Sequence, residues 1–387
     1  MRILMIAPEP FFEPRGTPFS EYHRIRALLD LGHTVDLVTY AFGADVQLPG
    51  LRIFRAARPP FVSHVKIGPS AAKLFLDLTL TVTALNRARL ERYDAVHSHE
   101  EAAAIGVVIS AALGVPHLYD MHSSLPQQLE NFAFSRSAIL RWMFQRLERT
   151  AIKRSRVTIV ICPHLEETAR RVVPDARTVL IENAPGSGEA PVHGSGKAIR
   201  ERLALDAASP VVVYTGTFEP YQGLDLLFEA AALVRRERPD VRFVLAGGKP
   251  EQVVRAKAQA VSMGAEGLIF TGELPADSIP SYLDAADVLV SPRSTGTNTP
   301  LKIYQYLRSG RAIVATRLLT HTQVLSDEVA ILAEPTPEGF ARGILRAVND
   351  PAHAKRVGSA AKTLAETRYT YEAYLQRTRE ACAALVA

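Results

Sequence analysis

The sequence predicts an α/β protein with two Rossmann-like domains, each built on a parallel sheet. Short apolar runs alternate with helical patterns in both halves of the chain, which is typical of βαβ units. A length of 387 residues exceeds what one hydrophobic core usually supports, so two domains are expected. The run APGSGEAPVHGSG at 184–196 is rich in Pro, Gly and Ser, and it predicts an exposed linker between them.

The strands follow in order along both halves. The first half contains ILMIA, TVDLVTY, DAVHSH and HLYDMH, and the second contains PVVVYTG, VRFVLAGG, GLIFTG, DVLVSP and AIVAT. We therefore expect an N-terminal domain over 1–184, a linker over 185–196 and a C-terminal domain over 197–369. A last helical pattern over 370–387 exceeds what the second sheet needs, so we expect it to complete the first domain. Two such domains would face each other across a cleft, where α/β proteins bind ligands.

Composition narrows the class of protein. Hydrophobic residues make up 47% and charged residues 22%, as in globular proteins. Cys162 and Cys382 fit neither a disulfide framework nor a thiolate metal site, which favours a reducing, cytoplasmic location. The first apolar run is too short for a signal peptide, and no stretch is long enough to span a membrane. A net charge of +5 is small for this length, so it is compatible with nucleotides or phospholipids and we expect no nucleic-acid partner.

The segment TNTPLKIYQYLRSG at 297–310 predicts a helix whose amino end binds an anion. Pro300 suits a helix start, Leu301 and Lys302 fall in the first turn, and three residues offer caps: Thr297, Asn298 and Thr299. Free backbone amides and the positive end of the helix dipole attract phosphate. The alternative is a helix that only covers the sheet while Lys302 extends to solvent.

Two features of the first half point to a ligand. Gly16 and Thr17 lie between the first strand and a helix expected to begin at Pro18, so this loop can approach a ligand closely, or it is an ordinary turn. A single glycine is not a G-x-G-x-x-G fingerprint, which argues against a dinucleotide cofactor. His122 ends the strand HLYDMH at the carboxyl edge of the sheet, where it would contact sugar or phosphate unless its role is structural.

Two further patterns bear on metal binding and on membrane contact. His97 and His99 form an H-x-H pair, but no third ligand is evident, so we expect no metal. The segment 136–156 carries seven arginines and lysines among large apolar residues, a pattern typical of helices at anionic membranes. The helix expected over 69–90 would add Leu74, Phe75 and Leu78. A helix packed on the sheet with a solvated basic face is the alternative.

Five segments together resemble the retaining glycosyltransferases called family four. They are PRGTPFSEYHR, HLYDMHSSLP, YTGTFEPYQGLDLL, FVLAGG and DVLVSPRSTGTNTPLKIYQYLRSGRAIVATR. The resemblance covers nearly the whole chain and implies a GT-B fold. It also implies a nucleoside-diphosphate sugar as substrate, with the nucleotide in the second domain, most of the acceptor in the first, and neither a metal nor a cofactor.

The resemblance also assigns roles, with departures. Two family glutamates, near the sugar and on the ribose, correspond to Thr297 and Gln305. A family arginine and lysine in the glycine turn that begins at Gly216 correspond to Thr217 and Gln222. Since a diphosphate leaving group needs positive charge, Arg293 and Lys302 are the candidates to supply it. The remaining family positions correspond to Gly16 and Thr17 at phosphates and acceptor, His122 at the sugar, and Glu273 and Leu274 along the base.

We therefore expect transfer of a hexosyl group to a hydroxyl acceptor with retention, in cell-envelope glycan, glycolipid or small-glycoside synthesis. The acceptor is expected to be lipid-linked, a glycan or a small molecule, and the location cytoplasmic, with contact to the inner face of the membrane. Two alternatives stay open. One is a non-catalytic sugar-nucleotide-binding partner subunit, and the other is a sugar-nucleotide epimerase with the same fold.

Overall fold

A computed structural model describes residues 1–13, 16–65, 71–127, 137–183 and 194–386. The chain divides into two compact units. Unit 1 comprises Met1–Asn183 together with Glu372–Ala387, and unit 2 comprises Ala184–Tyr371. Most of the linker predicted from the Pro, Gly and Ser run, up to residue 193, lies outside the described residues.

Unit 1 is built on a seven-stranded parallel sheet in the order β3-β2-β1-β4-β5-β6-β7. The strands are β1 (Arg2–Ala7), β2 (Thr34–Thr39), β3 (Leu51–Arg55), β4 (Ala95–His99), β5 (His117–Met121), β6 (Val157–Val160) and β7 (Thr178–Leu180). β4 and β5 are buried at every residue, because helices cover both faces of a parallel sheet. The order reverses between β1 and β4, which marks the switch point where such sheets bind ligands.

In the part of the chain that the structure describes, five α-helices connect these strands: α1 (Gly16–Asp30), α2 (Ala71–Leu90), α3 (Ala103–Leu113), α4 (Ala138–Arg154) and α5 (Pro163–Val172). Right-handed crossovers place α2, α3, α4 and α5 on one face of the sheet and α1 on the other. α3 packs against both α2 and α4. α1 begins at Gly16, two residues before the predicted start at Pro18. Gly16 itself adopts a left-handed φ of +54°, which other residues rarely take.

Unit 2 repeats the architecture with a six-stranded parallel sheet in the order β10-β9-β8-β11-β12-β13. The strands are β8 (Val211–Thr215), β9 (Arg242–Ala246), β10 (Ile269–Gly272), β11 (Val288–Ser291), β12 (Ala312–Thr316) and β13 (Ile331–Ala333). The order reverses between β8 and β11. Two apolar cores fill the two sides of the sheet, one around Phe228 and Phe340 and the other around Ile303 and Tyr306.

The helices of unit 2 are α6 (Ser195–Arg202), α7 (Leu224–Glu237), α8 (Pro250–Ser262), α9 (Ile279–Ala285), α10 (Leu301–Ser309), α11 (Leu319–Thr322), α12 (Pro337–Asn349) and α13 (Pro351–Arg368). α10 is the next element after β11 along the chain, and a loop over 292–300 connects the two. This loop and the turn after β8 therefore meet at the switch point of the sheet.

The last helix, α14 (Tyr371–Val386), packs within unit 1. Arg377 donates through Nη1 to Oε2 of Glu182 at 3.0 Å, and Cys382 lies in the core formed by β1, β2 and α1. Both cysteines are buried free thiols. Among the described residues, no helix is both long and apolar enough to cross a bilayer.

Candidate active site

Glycines bring three loops of unit 2 into close contact at its switch point. A Cβ on Gly247, after β9, would lie 1.9 Å from the carbonyl oxygen of Gly216, after β8. A Cβ on Gly223 would lie 2.1 Å from the carbonyl oxygen of Pro292, which follows β11. Only glycine fits these contacts, so the ends of β8, β9 and β11 pack more tightly than side chains would allow.

Lys302 lies at the centre of this region. It is buried in the first turn of α10, and its Nζ lies 3.9 Å from the centroid of the Tyr214 ring. A Cβ on Gly216 would lie 3.3 Å from the same Nζ. No other described residue hydrogen-bonds this Nζ. Burial, reinforced by the nearby charge of Arg293, lowers the pKa of Lys302 well below its ordinary value. The alternative of a lysine that extends to solvent is therefore wrong.

Arg293 occupies the loop beside Lys302. Its Nη1 donates to the carbonyl oxygen of Asn298 at 2.8 Å and to Oγ1 of Thr320 at 3.1 Å. The guanidinium also lies over the Tyr221 ring, 5.0 Å from its centroid. Loss of hydration lowers the pKa of Arg293, and the nearby Tyr221 and Tyr214 offset part of that shift. Two cations thus share one desolvated region.

The start of α10 differs from the prediction. Pro300 is the residue that precedes the helix, with an extended ψ of 136°, and no side chain caps the helix there. Pro300, which has no side chain able to cap, therefore occupies the N-cap position in place of the three predicted residues. Thr297 accepts from Nε2 of Gln323 at 2.6 Å, and Asn298 accepts from Oγ1 of Thr320 at 2.6 Å. Thr299 is buried and its Oγ1 has no partner among the described atoms.

The other predicted donor residues surround this region at different depths. Nε2 of the buried Gln222 lies 3.4 Å from Oγ1 of Thr217, whose carbonyl oxygen accepts from the Tyr214 hydroxyl at 2.7 Å. Gln305 is exposed on α10, whereas the next residue, Tyr306, is buried. Farther out, an exposed Glu273 and the partly buried Leu274 follow β10, two strands from β8.

In unit 1, His122 lies at the carboxyl edge predicted for it. It follows β5 directly, is 5% exposed, and its Nε2 lies 3.2 Å from Oδ1 of Asp120. The other carboxylate oxygen of Asp120 accepts from Nε of Arg24 at 2.9 Å, and both residues of this pair are buried. Burial acts to raise the pKa of Asp120, but Arg24 and the histidines hold it well below its usual value. Asp120 is therefore a buried anion that faces His122.

The expectation that no third ligand approaches the H-x-H pair is wrong. Asp120 pairs with His99 across β4 and β5, and ligand atoms of His97, His99 and Asp120 lie within 4.8 Å of one another. The His97 and His99 rings stack with centroids 4.7 Å apart. Burial lowers the pKa of both histidines, so they are neutral at physiological pH. Asp120 already pairs with the Arg24 guanidinium, which opposes a divalent cation electrostatically.

Gly16 and Thr17 form the first turn of α1, after β1. A Cβ on Gly16 would meet nothing within 4 Å, so space lies open at this turn. One turn further along α1, Glu21 is fully buried and neither of its carboxylate oxygens has a partner among the described residues. Burial, together with Glu9 and Asp120, raises the pKa of Glu21 well above its usual value. The shift favours the protonated, uncharged form of this carboxyl group.

Sequence reasoning missed several of these residues. Tyr214 and Tyr221 lie in the quoted segment YTGTFEPYQGLDLL, where an aromatic residue at each end of a glycine turn was the available signal. No local signal pointed to Arg24 and Asp120. They lie 96 positions apart, so their pairing can be recognised only when the order of the strands is known.

Comparison with known proteins follows the same division into two units. Residues 22–184 match the family described as "Glycosyl transferase 4-like domain", and residues 209–350 match "Glycosyl transferases group 1". The chain belongs to the group 1 glycosyltransferases. This protein is therefore a glycosyltransferase of a family that uses nucleotide-sugar donors.

Individual relatives agree with this assignment. The chain is 27% identical to an alpha-D-kanosaminyltransferase of Streptomyces kanamyceticus over 74% of this chain and 77% of that protein. It is 24% identical to a phosphatidylinositol N-acetylglucosaminyltransferase of Arabidopsis thaliana, over 90% of this chain and 74% of that protein. It is 26% identical to a D-inositol 3-phosphate glycosyltransferase of Acidothermus cellulolyticus, over 87% of this chain and 78% of that protein.

Solved structures show the same fold. Sucrose-phosphate synthase from Thermosynechococcus elongatus superposes with a TM-score of 0.80 at 20% identity, over 100% of this chain and 99% of that chain. Anabaena HepE, in complex with UDP-glucose, superposes with a TM-score of 0.76 at 18% identity, over 100% of both chains. The predicted GT-B fold, with two parallel Rossmann-like sheets, is confirmed.

Proposed function

We propose that the protein transfers a hexosyl group from a nucleoside-diphosphate sugar to a hydroxyl acceptor, with retention and without a metal ion. The observation that carries this proposal is the buried amino group of Lys302, which no other described residue hydrogen-bonds. A charged form without a partner is costly in this place, and a bound anion would offset that cost and favour the ammonium.

A diphosphate is the anion that suits the surroundings of Lys302. The glycine turn at Gly216 lies close to Lys302, since a Cβ there would be 3.3 Å from its Nζ, and Arg293 adds a second positive charge in the same loop region. During transfer, negative charge grows on the diphosphate as the glycosidic bond breaks. Preorganised cations in a dehydrated site stabilise that charge more than water does. Lys302 and Arg293 would thus lower the barrier to departure of the nucleotide.

The remaining roles follow from position. Gln305, exposed on α10, would bind the ribose through its amide, and Glu273 and Leu274 would lie along the base. In the glycine turn, Gly216, Thr217 and Gln222 would contact the donor. So would the residues before and in the first turn of α10: Thr297, Asn298, Thr299, Pro300 and Leu301. In unit 1, Gly16 and Thr17 would contact phosphate and acceptor, and His122 would bind the sugar, supported by the anionic Asp120.

The relatives suggest which acceptors to test first. The names of such relatives mention 2-deoxystreptamine, phosphatidylinositol and D-inositol 3-phosphate. We propose a hydroxyl of a cyclitol, a glycan or a lipid-linked headgroup as acceptor, in glycolipid, cell-envelope or small-glycoside synthesis. We propose the cytoplasm as the site of action, because both cysteines are buried free thiols.

One specific observation favours a second candidate, a non-catalytic sugar-nucleotide-binding partner subunit. Four positions at which the family resemblance implies charged residues carry neutral ones: Thr217, Gln222, Thr297 and Gln305. Such a subunit would keep the fold and the affinity for nucleotide but would not turn over the donor.

A two-stage experiment separates these candidates. Thermal shift with nucleoside diphosphates and their sugars identifies the donor, because a ligand that binds only the folded state raises its apparent stability. The purified protein is then incubated with that donor and with cyclitols, glycans and phosphatidylinositol. Glycoside formation with retained anomeric configuration in the presence of a chelator supports the proposal. Nucleotide binding without turnover on any acceptor leaves the partner-subunit function, and failure to bind any nucleoside diphosphate refutes both.

A further inference from the structure

The carboxyl edge of the unit 1 sheet carries a concentration of acidic side chains. Glu9 follows β1, and Glu100 and Glu101 follow β4, the neighbour of β1 in the sheet. Asp77 joins them from α2, and Glu21 from α1. We call these five residues the Glu9 cluster, since the charge of Glu9 acts on both Glu21 and Glu100. They lie at the edge where parallel sheets bind ligands.

Backbone contacts hold Glu9 at this edge. Its carbonyl oxygen accepts from Oγ1 of Thr39 at 2.6 Å and from the amide of Tyr40 at 3.2 Å, at the end of β2. The Glu9 side chain takes no part in these two contacts and is partly exposed. Glu100 has a left-handed φ of +47°, and its Oε2 accepts from Oγ of Ser123 at 2.8 Å. A ligand can therefore reach the cluster from solvent on the side of Glu9.

The negative charge of the cluster is partly neutralised. Lys73 pairs with one member, with its Nζ 2.9 Å from Oε1 of Glu101. Asp77 and Glu100 accept hydrogen bonds from neutral hydroxyl groups. Burial raises the pKa of Asp77 to about 6 and that of Glu100 well above its ordinary value, and the charge of Glu101 adds to both shifts. A further cation would relieve this mutual repulsion.

Glu21 supplies an independent sign of a ligand. It is fully buried, and neither of its carboxylate oxygens has a hydrogen-bond partner among the described residues. The charges that act on it are those of Glu9 and Asp120, so its carboxyl group faces the carboxyl edge of the sheet. Buried polar groups in folded proteins are nearly always hydrogen-bonded. A ligand that donates to Glu21 would supply the missing partner.

Lys73 indicates which chemistry the cluster favours. Burial alone would lower the pKa of this lysine, but Glu101, Glu9 and Asp77 raise it. The cluster thus already stabilises one ammonium ion against its loss of hydration. A metal ion fits less well, because in the described part of the chain no three carboxylates of the cluster bring ligand atoms within 4.8 Å of one another.

We propose that the Glu9 cluster binds a protonated amino group of the acceptor, which is therefore an amino sugar or an aminocyclitol. This inference rests on the proposed function and narrows its acceptor class. The ammonium has three N–H donors, which would serve Glu21, Glu9 and Glu100. The hydroxyl that receives the hexosyl group belongs to another carbon of the same molecule. A polyol without an amine could donate hydrogen bonds to these carboxyl groups but could not offset their charge.

Calorimetry on the whole protein without any donor tests the proposal. The two probes differ in one group, because scyllo-inosamine carries an ammonium where scyllo-inositol carries a hydroxyl. At neutral pH and low salt, we expect the wild type to bind scyllo-inosamine at least about tenfold more tightly, since hydrogen bonds between charged groups are the stronger ones. Added salt should reduce this selectivity.

Two substitutions locate the selectivity. Glu21→Gln and Glu9→Gln should each lower it roughly fivefold or more, while affinity for scyllo-inositol changes little. Glu9→Gln keeps the backbone carbonyl that binds Thr39 and Tyr40, so it tests the proposal even where Glu21→Gln fails to fold. Glu167→Gln, at an exposed glutamate of α5, removes the same charge elsewhere in unit 1 and should leave the selectivity unchanged.

Several outcomes would overturn the proposal. It fails if the wild type binds scyllo-inosamine no more tightly than scyllo-inositol, or not at all. It also fails if Glu9→Gln leaves the selectivity unchanged or weakens both probes equally. Saturable binding of Ca²⁺ alone that Glu9→Gln abolishes would assign the cluster to a metal ion instead.

The proposed function is tested separately. Transfer to an acceptor that has no amine, in a protein without amine selectivity, overturns this inference alone. Amine selectivity in a protein that never turns over its donor overturns the transfer reaction alone.

Discussion

Replacing Lys302 with methionine separates a role in diphosphate binding from a role in stability. The Lys302→Met variant keeps the length of the side chain over the Tyr214 ring but removes the charge. In the wild-type protein that charge is desolvated, and burial holds the pKa of Lys302 well below its ordinary value. We therefore expect the free energy of unfolding of the variant to equal or exceed that of the wild type.

The effect on ligand binding should be large and selective. Two unit charges about 4 Å apart interact by about 4 kcal/mol at an effective dielectric constant near 20. Truncating one partner of a buried charge pair costs roughly 2–5 kcal/mol in measured complexes. Affinity for the nucleoside diphosphate should thus fall by a factor of about 30 or more. Affinity for the free nucleoside, which lacks phosphate, should stay the same.

Calorimetry gives a second signature through proton linkage. Because the pKa of Lys302 is lowered in the free protein, a bound diphosphate that favours the charged form should raise it and cause proton uptake. Titrations in two buffers of different ionisation enthalpy measure that uptake, which should vanish in Lys302→Met. The pH dependence of stability has the matching sign. The unfolded state binds more protons above the lowered pKa, so wild-type stability should rise with pH there, and the variant should lose this slope.

Lys257→Met, at an exposed lysine on α8, is the control and should change none of these quantities. The reasoning is refuted if Lys302→Met binds diphosphate as tightly as the wild type. It is also refuted if the variant loses nucleoside and diphosphate affinity equally, or unfolds markedly more easily, because Lys302 would then have a structural role.

Three further predictions concern other parts of the molecule. Asp120→Asn should lower the free energy of unfolding by about 3–5 kcal/mol in urea melts, since it leaves the buried Arg24 unpaired, and a double-mutant cycle with Arg24→Met should show strong coupling. Gly247→Ala should destabilise by roughly 2 kcal/mol or more in the same assay, because the new Cβ would lie 1.9 Å from the Gly216 carbonyl oxygen; a neutral result would contradict the close packing of these loops. His122→Ala should lower kcat at least about tenfold in steady-state assays while calorimetric diphosphate affinity is retained, and an unchanged kcat would remove His122 from the site.

The sequence predicted the strands and the fold well because their signal is local. Buried parallel strands are continuous apolar runs, and helices repeat every 3.6 residues, so each element can be recognised within its own segment. Lys302 and Arg293 could also be singled out from the sequence alone, since both follow the end of β11 at a switch point. The exposed apolar residues of α2 and α4 were predicted as amphipathic faces for the same reason.

The remainder depended on contacts between distant segments. His99 lies opposite Asp120 only because β4 and β5 pair in one particular register, and no local pattern determines that register. The backbone carbonyls of Thr297 and Asn298 accept hydrogen bonds from Gln323 and Thr320, which lie more than twenty positions later. No local pattern predicts these contacts.

The placement of α14 has a consequence for synthesis of the protein. Arg24 is buried among side chains of α14, with its guanidinium 5.0 Å from the Tyr374 ring centroid and its Nη1 3.4 Å from Oγ1 of Thr378. During translation, the first unit therefore leaves the ribosome without the helix that encloses this arginine, and it must wait for the whole second unit to emerge. A chain stalled or truncated before residue 371 would expose the core around Ile25 and Leu37, which makes it a substrate for chaperones and proteases. A circular permutant that moves α14 ahead of β1 would let the first unit complete its fold early.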